Sequence, residues 1–291
     1  MINLNGILLK NLIIIASGPV KYGLGYEWYE NPISWIMNKT HRLKLELFGA
    51  VITKTLTLNP HVGNYRWYVP LRVLRPLELL HPFRGNWVNR FGWTNCGIDE
   101  FIEKIYPKIK LDNLIVSIGA LADVNELLVM IKKLNTLKNI RAIELNISCT
   151  NVEIMFRNDL NELSVLFRQA AACSLHPLIV KLGPDKDVIA KAQIAEEAGI
   201  DALSLINTVP AYIFGFGHCG KSGPEIKATA LEVIEKVAKV VSIPIIGGGG
   251  IKSRGDCDEF LAAGATALSI GSLFILHPLR AQKIIKNFFT H

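Results

Sequence analysis

The chain has 291 residues, half of them hydrophobic and 20% charged, with a formal net charge of +7. This composition can bury a large core, and with no stretch dominated by Pro, Ser or one sign of charge it excludes a disordered or low-complexity chain. The basic residues are scattered, with no basic run interleaved with aromatics, which argues against nucleic-acid binding; the positive balance instead suits anionic ligands or an acidic membrane surface.

Five cysteines, Cys96, Cys149, Cys173, Cys219 and Cys257, are odd in number and widely spaced. They form no CxxC pair and no Cys/His cluster with ligand spacing, so neither a disulfide framework nor a metal site is expected. The first residues, MINLNGILLKNLIIIAS, carry an apolar run broken by Asn and Lys without a basic leader before it. No segment reaches the roughly 18 uninterrupted apolar residues of a spanning helix, and the expected location is the cytoplasm.

Length fits either two average domains or one α/β barrel, so the number of repeats has to decide. In chain order, apolar runs of strand length occur at 11–17, 49–55, 114–120, 142–148, 177–183, 202–208, 244–250 and 267–272. From residue 110 onward each is followed by a helix-length segment, the pattern of parallel strands buried on both faces. The stretch 187–199 shows the helical signals: Asp187 as N-cap, Gly199 as stop, and Val188, Ile189, Ala192, Ala195 and Ala198 along one side. Eight such strands predict an α/β fold, a (β/α)8 TIM barrel in a single domain over 1–291; an open doubly wound sheet is the alternative, but no GxGxxG follows the first strand.

Each run ends in residues too polar or too small for a core: Ser17 with Gly18, Lys54 with Thr55, Ser117, Asn146 with Cys149, Lys181, Asn207 with Thr208, Gly249 with Gly250, and Gly271 with Ser272. In a barrel these are C-terminal strand ends, which converge on the face where barrel enzymes hold their sites. IIGGGGI at 245–251 and SIGS at 269–272 fit a phosphate grip on the last two strands, against the plainer reading of glycine-rich turns. A lysine at the end of an apolar strand needs an anionic partner, unless its stem simply carries it to the surface. The asparagines can donate and accept, as reading the edge of a flat heterocycle requires, or can serve as turn formers, Asn151 above all. Cys149 lies past its strand, and a thiol there can serve as general base once its neighbours favour the thiolate.

These residues match a family pattern. ELNISCTN at 144–151 resembles the ELNxSCPN signature of class 1 dihydroorotate dehydrogenases, and ASGPVKYG, AVITKTLTLNPHVGN, IVKLGPD, AGIDALSLINT, GKSGPEIK and IPIIGGGGI resemble other landmarks of that family in the same order. The resemblance implies an FMN-containing barrel that oxidises dihydroorotate to orotate in pyrimidine biosynthesis. It implies Cys149 as the base that removes the C5 proton, and Lys54, Asn89, Asn146, Asn151, Asn207 and Thr208 as orotate contacts. The implied flavin contacts are Ala16, Ser17, Lys54, Thr55, Ser117, Asn146, Lys181, Ile206, Gly223, Gly249, Gly250, Gly271 and Ser272. It further implies a homodimer and leaves the electron acceptor open among fumarate, a quinone, and NAD reached through a separate electron-transfer subunit.

The departures from the pattern are specific. Thr150 replaces the signature proline, Trp93 replaces a smaller aliphatic residue in NRFGWTN, and the connection from Asn207 to GKSG is short. Segment 66–87 is long and combines Trp67, Tyr68, Leu71, Leu74, Leu77, Leu79, Leu80 and Phe83 with Arg66, Arg72, Arg75 and Arg84, suiting either a partner or membrane-surface contact or a helix packed on the barrel. Two other functions compete with the dehydrogenase: an FMN barrel acting on another cyclic dihydropyrimidine or enone, and a flavin-binding barrel without catalysis.

Overall fold

The computed structural model describes residues 1–24, 43–64, 80–121, 123–156 and 158–289. Eight parallel strands close into a barrel: β3 (Ile13–Ile15), β4 (Ala50–Ile52), β7 (Leu114–Ile118), β8 (Ile140–Asn146), β9 (Leu178–Leu182), β10 (Ala202–Leu205), β13 (Ile245–Gly248) and β14 (Ala267–Ile270). They follow one another around the barrel in chain order, and β14 pairs with β3 to close it. All eight coincide with the runs expected from the sequence. Helices at Asn125–Leu134, Leu160–Cys173, Val188–Glu197, Lys227–Ala238, Arg254–Ala262 and Pro278–Phe289 follow strands on the outside. The helix at Val188–Glu197 has Asp187 at its N-cap position, where its side chain caps no amide, and Gly199 just past its end at φ +83°.

Side chains alternate across each strand, so the two faces have different contents. Outward residues such as Ile13, Leu114, Ile143, Val180, Leu203 and Leu268 pack beneath the helices. Inward residues at the lower level, Ile14, Ala50, Ile52, Ile115, Ala142, Ile179, Ala202, Ile246 and Ala267, make a separate apolar core inside the barrel. Two residues further along the same inward rows the chemistry changes: Ser117 follows Ile115, Glu144 follows Ala142, Lys181 follows Ile179, Ser204 follows Ala202 and Ser269 follows Ala267. The barrel is thus apolar below and polar above.

The lower end is plugged by an antiparallel hairpin, β1 (Ile2–Leu4) and β2 (Ile7–Leu9), that the sequence reading did not anticipate. Its two-residue turn is Asn5-Gly6, both at positive φ (46° and 94°), the geometry that matches the twist of paired strands. Asn5 Nδ2 donates to Asp201 O, one residue before β10, which fixes the hairpin at the N-terminal end. Leu4, Ile7 and Leu9 are fully buried against the barrel's apolar layer. Ile7→Val leaves a methyl-sized gap there and is expected to cost about 1 kcal/mol, read as a lower urea midpoint at unchanged slope.

A second sheet stands at the opposite end. β5 (Leu80–Phe83), β6 (Asn86–Asn89), β11 (Val209–Ile213) and β12 (Gly217–Ser222) form an antiparallel sheet in the order β11-β12-β6-β5. It joins the excursion after β4 to the excursion after β10, with Gly220 opposite Asn89. The short connection from Asn207 to GKSG is therefore a compact hairpin. In segment 66–87 only Leu80 onward is described, and there it forms β5 and the start of β6; the rest of the expected contact surface, 66–79, lies outside the described residues. No helix among the described residues is long and apolar enough to cross a membrane.

Candidate active site

A cavity of about 320 Å³ opens at the C-terminal ends of the barrel strands, beside the antiparallel sheet. Cys149, Lys54, Asn89, Asn146, Asn151, Asn207 and Thr208 all line it, together with Ala16, Ser17, Thr55, Lys181, Ile206, Gly223, Gly249, Gly250, Gly271 and Ser272. Of the residues named from the sequence, Ser117 alone stands off this surface. It is fully buried, one layer behind Thr55, with Oγ 3.1 Å from Thr55 Oγ1. Residues that the sequence reading did not assign to the site also face the cavity, among them Lys21, Phe91, Ser204 and Ser269, and so does Trp93, the departure noted in NRFGWTN.

The polar groups form one directed chain of hydrogen bonds. Glu144 is completely buried in the barrel's upper layer, and its Oε1 accepts from Ser117 Oγ at 2.8 Å. A carboxylate only accepts, so Ser117 must donate to it and must accept from Thr55 Oγ1. Thr55 in turn accepts from Asn146 Nδ2 at 2.9 Å, which turns Asn146 Oδ1 toward Asn207 Nδ2 at 3.2 Å. Asn207 Nδ2 also reaches Ser148 Oγ, and its Oδ1 accepts from Thr208 N at 2.8 Å. The buried carboxylate therefore dictates which way two cavity asparagines present their amides. A second pair, Asn151 Nδ2 to Asn89 Oδ1 at 2.7 Å, crosses from the barrel loop to the antiparallel sheet.

Charge is one-sided at this surface. Among the described residues, Lys21, Lys54 and Lys181 line the cavity and no aspartate or glutamate does. The anionic partner expected for Lys181 is Glu144, whose Oε1 lies 3.9 Å from Lys181 Nζ, beneath the cavity surface. Anions are drawn to such a pocket and cations repelled. Among the described residues no group of three or more His, Cys, Asp or Glu is placed to hold a metal ion.

Cys149 is 8% exposed, at the loop that follows β8. Ser148 Oγ donates to Lys181 O at 2.8 Å, tying that loop to β9. Burial pushes the Cys96, Cys173 and Cys219 thiols above the usual thiol range and takes Cys257 up to about 12. Those thiols stay protonated near neutral pH and are poor bases.

The glycine edge of the cavity suits a flat, phosphorylated group. Gly223, Gly249, Gly250 and Gly271 border it, and a Cβ on Gly250 would lie 2.7 Å from Gly223 O, so only bare backbone fits. Backbone amides without side chains can approach a phosphate closely, and Gly271 leads directly into the helix Ser272–Leu276.

A family model, Dihydroorotate dehydrogenase, matches residues 1–290. The catalytic subunit of dihydroorotate dehydrogenase B (NAD(+)) from Citrifermentans bemidjiense is 35% identical over 296 residues, covering 97% of this chain and 89% of its own. That from Geotalea uraniireducens is 34% identical over 300 residues, covering 98% of this chain and 90% of its own. A crystal structure of DHODH from Eimeria tenella in complex with ferulenol superposes with a TM-score of 0.72 at 19% identity, covering 99% of this chain and 82% of that one, which supports the barrel fold. By sequence over nearly its whole length, the chain belongs to the dihydroorotate dehydrogenase family.

Proposed function

We propose that this protein oxidises dihydroorotate to orotate in pyrimidine biosynthesis, with FMN as the hydride acceptor, in one barrel domain over residues 1–291. The family is flavin-dependent in general, and the glycine edge with Lys181 fits a flavin phosphate and ring. The observation that carries the reading is the placing of Cys149 in a cavity lined by lysines and asparagines and, among the described residues, by no carboxylate.

Ala16, Ser17, Lys54, Thr55, Asn146, Lys181, Ile206, Gly223, Gly249, Gly250, Gly271 and Ser272 would hold the cofactor, with Ser117 supporting Thr55 from behind. When bound, FMN supplies the acceptor for the hydride that leaves C6 of the substrate. Lys54 offers a cation to the substrate carboxylate. Asn89, Asn146, Asn151, Asn207 and Thr208 offer donors and acceptors to the imide edge, with Asn146 and Asn207 held in register by the chain that ends on Glu144. Cys149 as thiolate takes the proton from C5, so the substrate loses one proton and one hydride and gains a double bond between C5 and C6.

The relatives carry the name catalytic subunit. That name supports a separate electron-transfer subunit that passes electrons on to NAD, and we place both in the cytoplasm, as a homodimer of the catalytic chain. Five cysteines without a disulfide suit a reducing compartment. A second reading, oxidation of another cyclic dihydropyrimidine, draws on Trp93, whose bulky ring lines the cavity.

The test is direct. Purified protein is expected to be yellow, to release FMN on denaturation, and to bleach when dihydroorotate is added without oxygen. A yellow protein that dihydroorotate does not bleach would overturn the substrate assignment, and a colourless one that FMN cannot reconstitute would overturn the flavin.

A further inference from the structure

Thr150 stands where the family signature has a proline, and the structure gives its hydroxyl a partner. Thr150 Oγ1 lies 2.9 Å from Thr208 Oγ1, on the link between β10 and β11. The fit is close: a Cβ on Gly220 of β12, opposite the pair, would fall 2.4 Å from Thr208 Oγ1 and 2.6 Å from Thr150 Oγ1. The neighbours of Cys149 are thus held on three sides. Ser148 is tied to β9, Thr150 to the β10–β11 link, and Asn151 to β6 through Asn89, while Asn64 Nδ2 donates to Asn151 O at 3.0 Å.

We propose that the Thr150–Thr208 hydroxyl pair is a latch that positions the Cys149 loop over the cavity, doing with a hydrogen bond what a proline ring does covalently. Proline fixes φ permanently. A hydroxyl pair can open and close, so here the loop bearing the thiol is held by a contact that substrate entry or partner docking can release. Thr150 is a positioning residue in this account, acting through Cys149. The inference deepens the dehydrogenase reading and rests on it for the rate, while the latch itself is a statement about loop geometry.

Two measurements test it on the full-length, flavin-loaded protein: alkylation of Cys149 by iodoacetamide, followed by peptide mass spectrometry, and flavin bleaching by dihydroorotate in stopped flow. Thr150→Val keeps the shape and removes the hydroxyl. It is expected to speed Cys149 alkylation several-fold and to slow bleaching roughly 5- to 10-fold, the size of one lost hydrogen bond, with the half-saturating substrate concentration little changed. Thr150→Ser is expected to restore both. In the alkylation readout, taken without substrate because Thr208 also faces the substrate, Thr208→Val in the Thr150→Val background should add far less than it does alone, because the two hydroxyls act as one unit. Unchanged alkylation in Thr150→Val, or full additivity of the two substitutions, overturns the latch. Should alkylation respond as expected while dihydroorotate bleaches neither wild type nor variant, the latch stands and the substrate assignment falls.

Discussion

Cys149→Ala is expected to lower the rate of flavin reduction by dihydroorotate by about 10²- to 10⁴-fold, the range that a positioned general base contributes, while leaving flavin content and orotate binding close to wild type. Among the described residues, the cavity lining contains no histidine, aspartate, glutamate or tyrosine that could replace the thiol as proton acceptor. The other titratable groups described there are lysines, which serve binding. The remaining thiols are kept protonated by burial, Cys257 most strongly, and none of them lines the cavity. Removing Cys149 therefore removes the step and spares the pocket.

Cys149→Ser sharpens the same expectation. A serine hydroxyl ionises far less readily than a thiol, so the variant should recover part of the rate only toward alkaline pH, with its rising limb displaced upward from wild type. Stopped-flow bleaching across a pH series, paired with orotate titration of the oxidised form, separates loss of the base from loss of binding. Wild-type bleaching in Cys149→Ala would remove Cys149 from the reaction.

The barrel was legible because burial on both faces writes strands as near-continuous apolar runs, and all eight were long enough to read. The cavity residues named from strand ends lay where that logic puts them, at the mouth. What escaped was carried by weaker or longer-range signals. The Asn5-Gly6 turn is a strong local hairpin mark, yet its flanking runs are only three residues each and merged with the apolar N-terminus. Glu144 sat inside a run that read as plain core, ELNIS; counting by twos from Asn146 would have turned it inward, into the polar upper layer with Lys181. Trp93 and Phe91 reach the cavity from a loop whose path is set by pairing between β6 and β12, a contact between residues more than 120 positions apart that no local pattern encodes. Thr150 showed the opposite case: the departure from the family signature was plain in the sequence, but its hydroxyl partner was supplied only by the fold.

Lys181→Met is expected to cost about 3–5 kcal/mol of stability, the usual consequence of leaving one member of a buried ion pair behind, and to abolish retention of the flavin. Lys181 is 8% exposed at the end of β9, with Glu144 at 0% on the neighbouring strand, so the substitution strands a fully buried carboxylate. Glu144 has little else to turn to: Oε1 has the Ser117 hydroxyl, and Oε2 is buried with no hydrogen-bond partner. The two losses have different origins and can be separated. In Glu144→Gln/Lys181→Met the stranded charge is gone, while Ser117 can still donate to the glutamine oxygen, so most of the stability should return in chemical denaturation. The flavin should not, because the cation that faces the cavity is still missing. If the double variant regained both, Lys181 would be a structural partner of Glu144 alone; if it regained neither, the pair's electrostatics would not be what holds the upper barrel together. The expected split, stability restored and cofactor lost, gives one lysine two tasks: it neutralises the carboxylate that orients the asparagines below the surface, and it presents positive charge to the bound ring above.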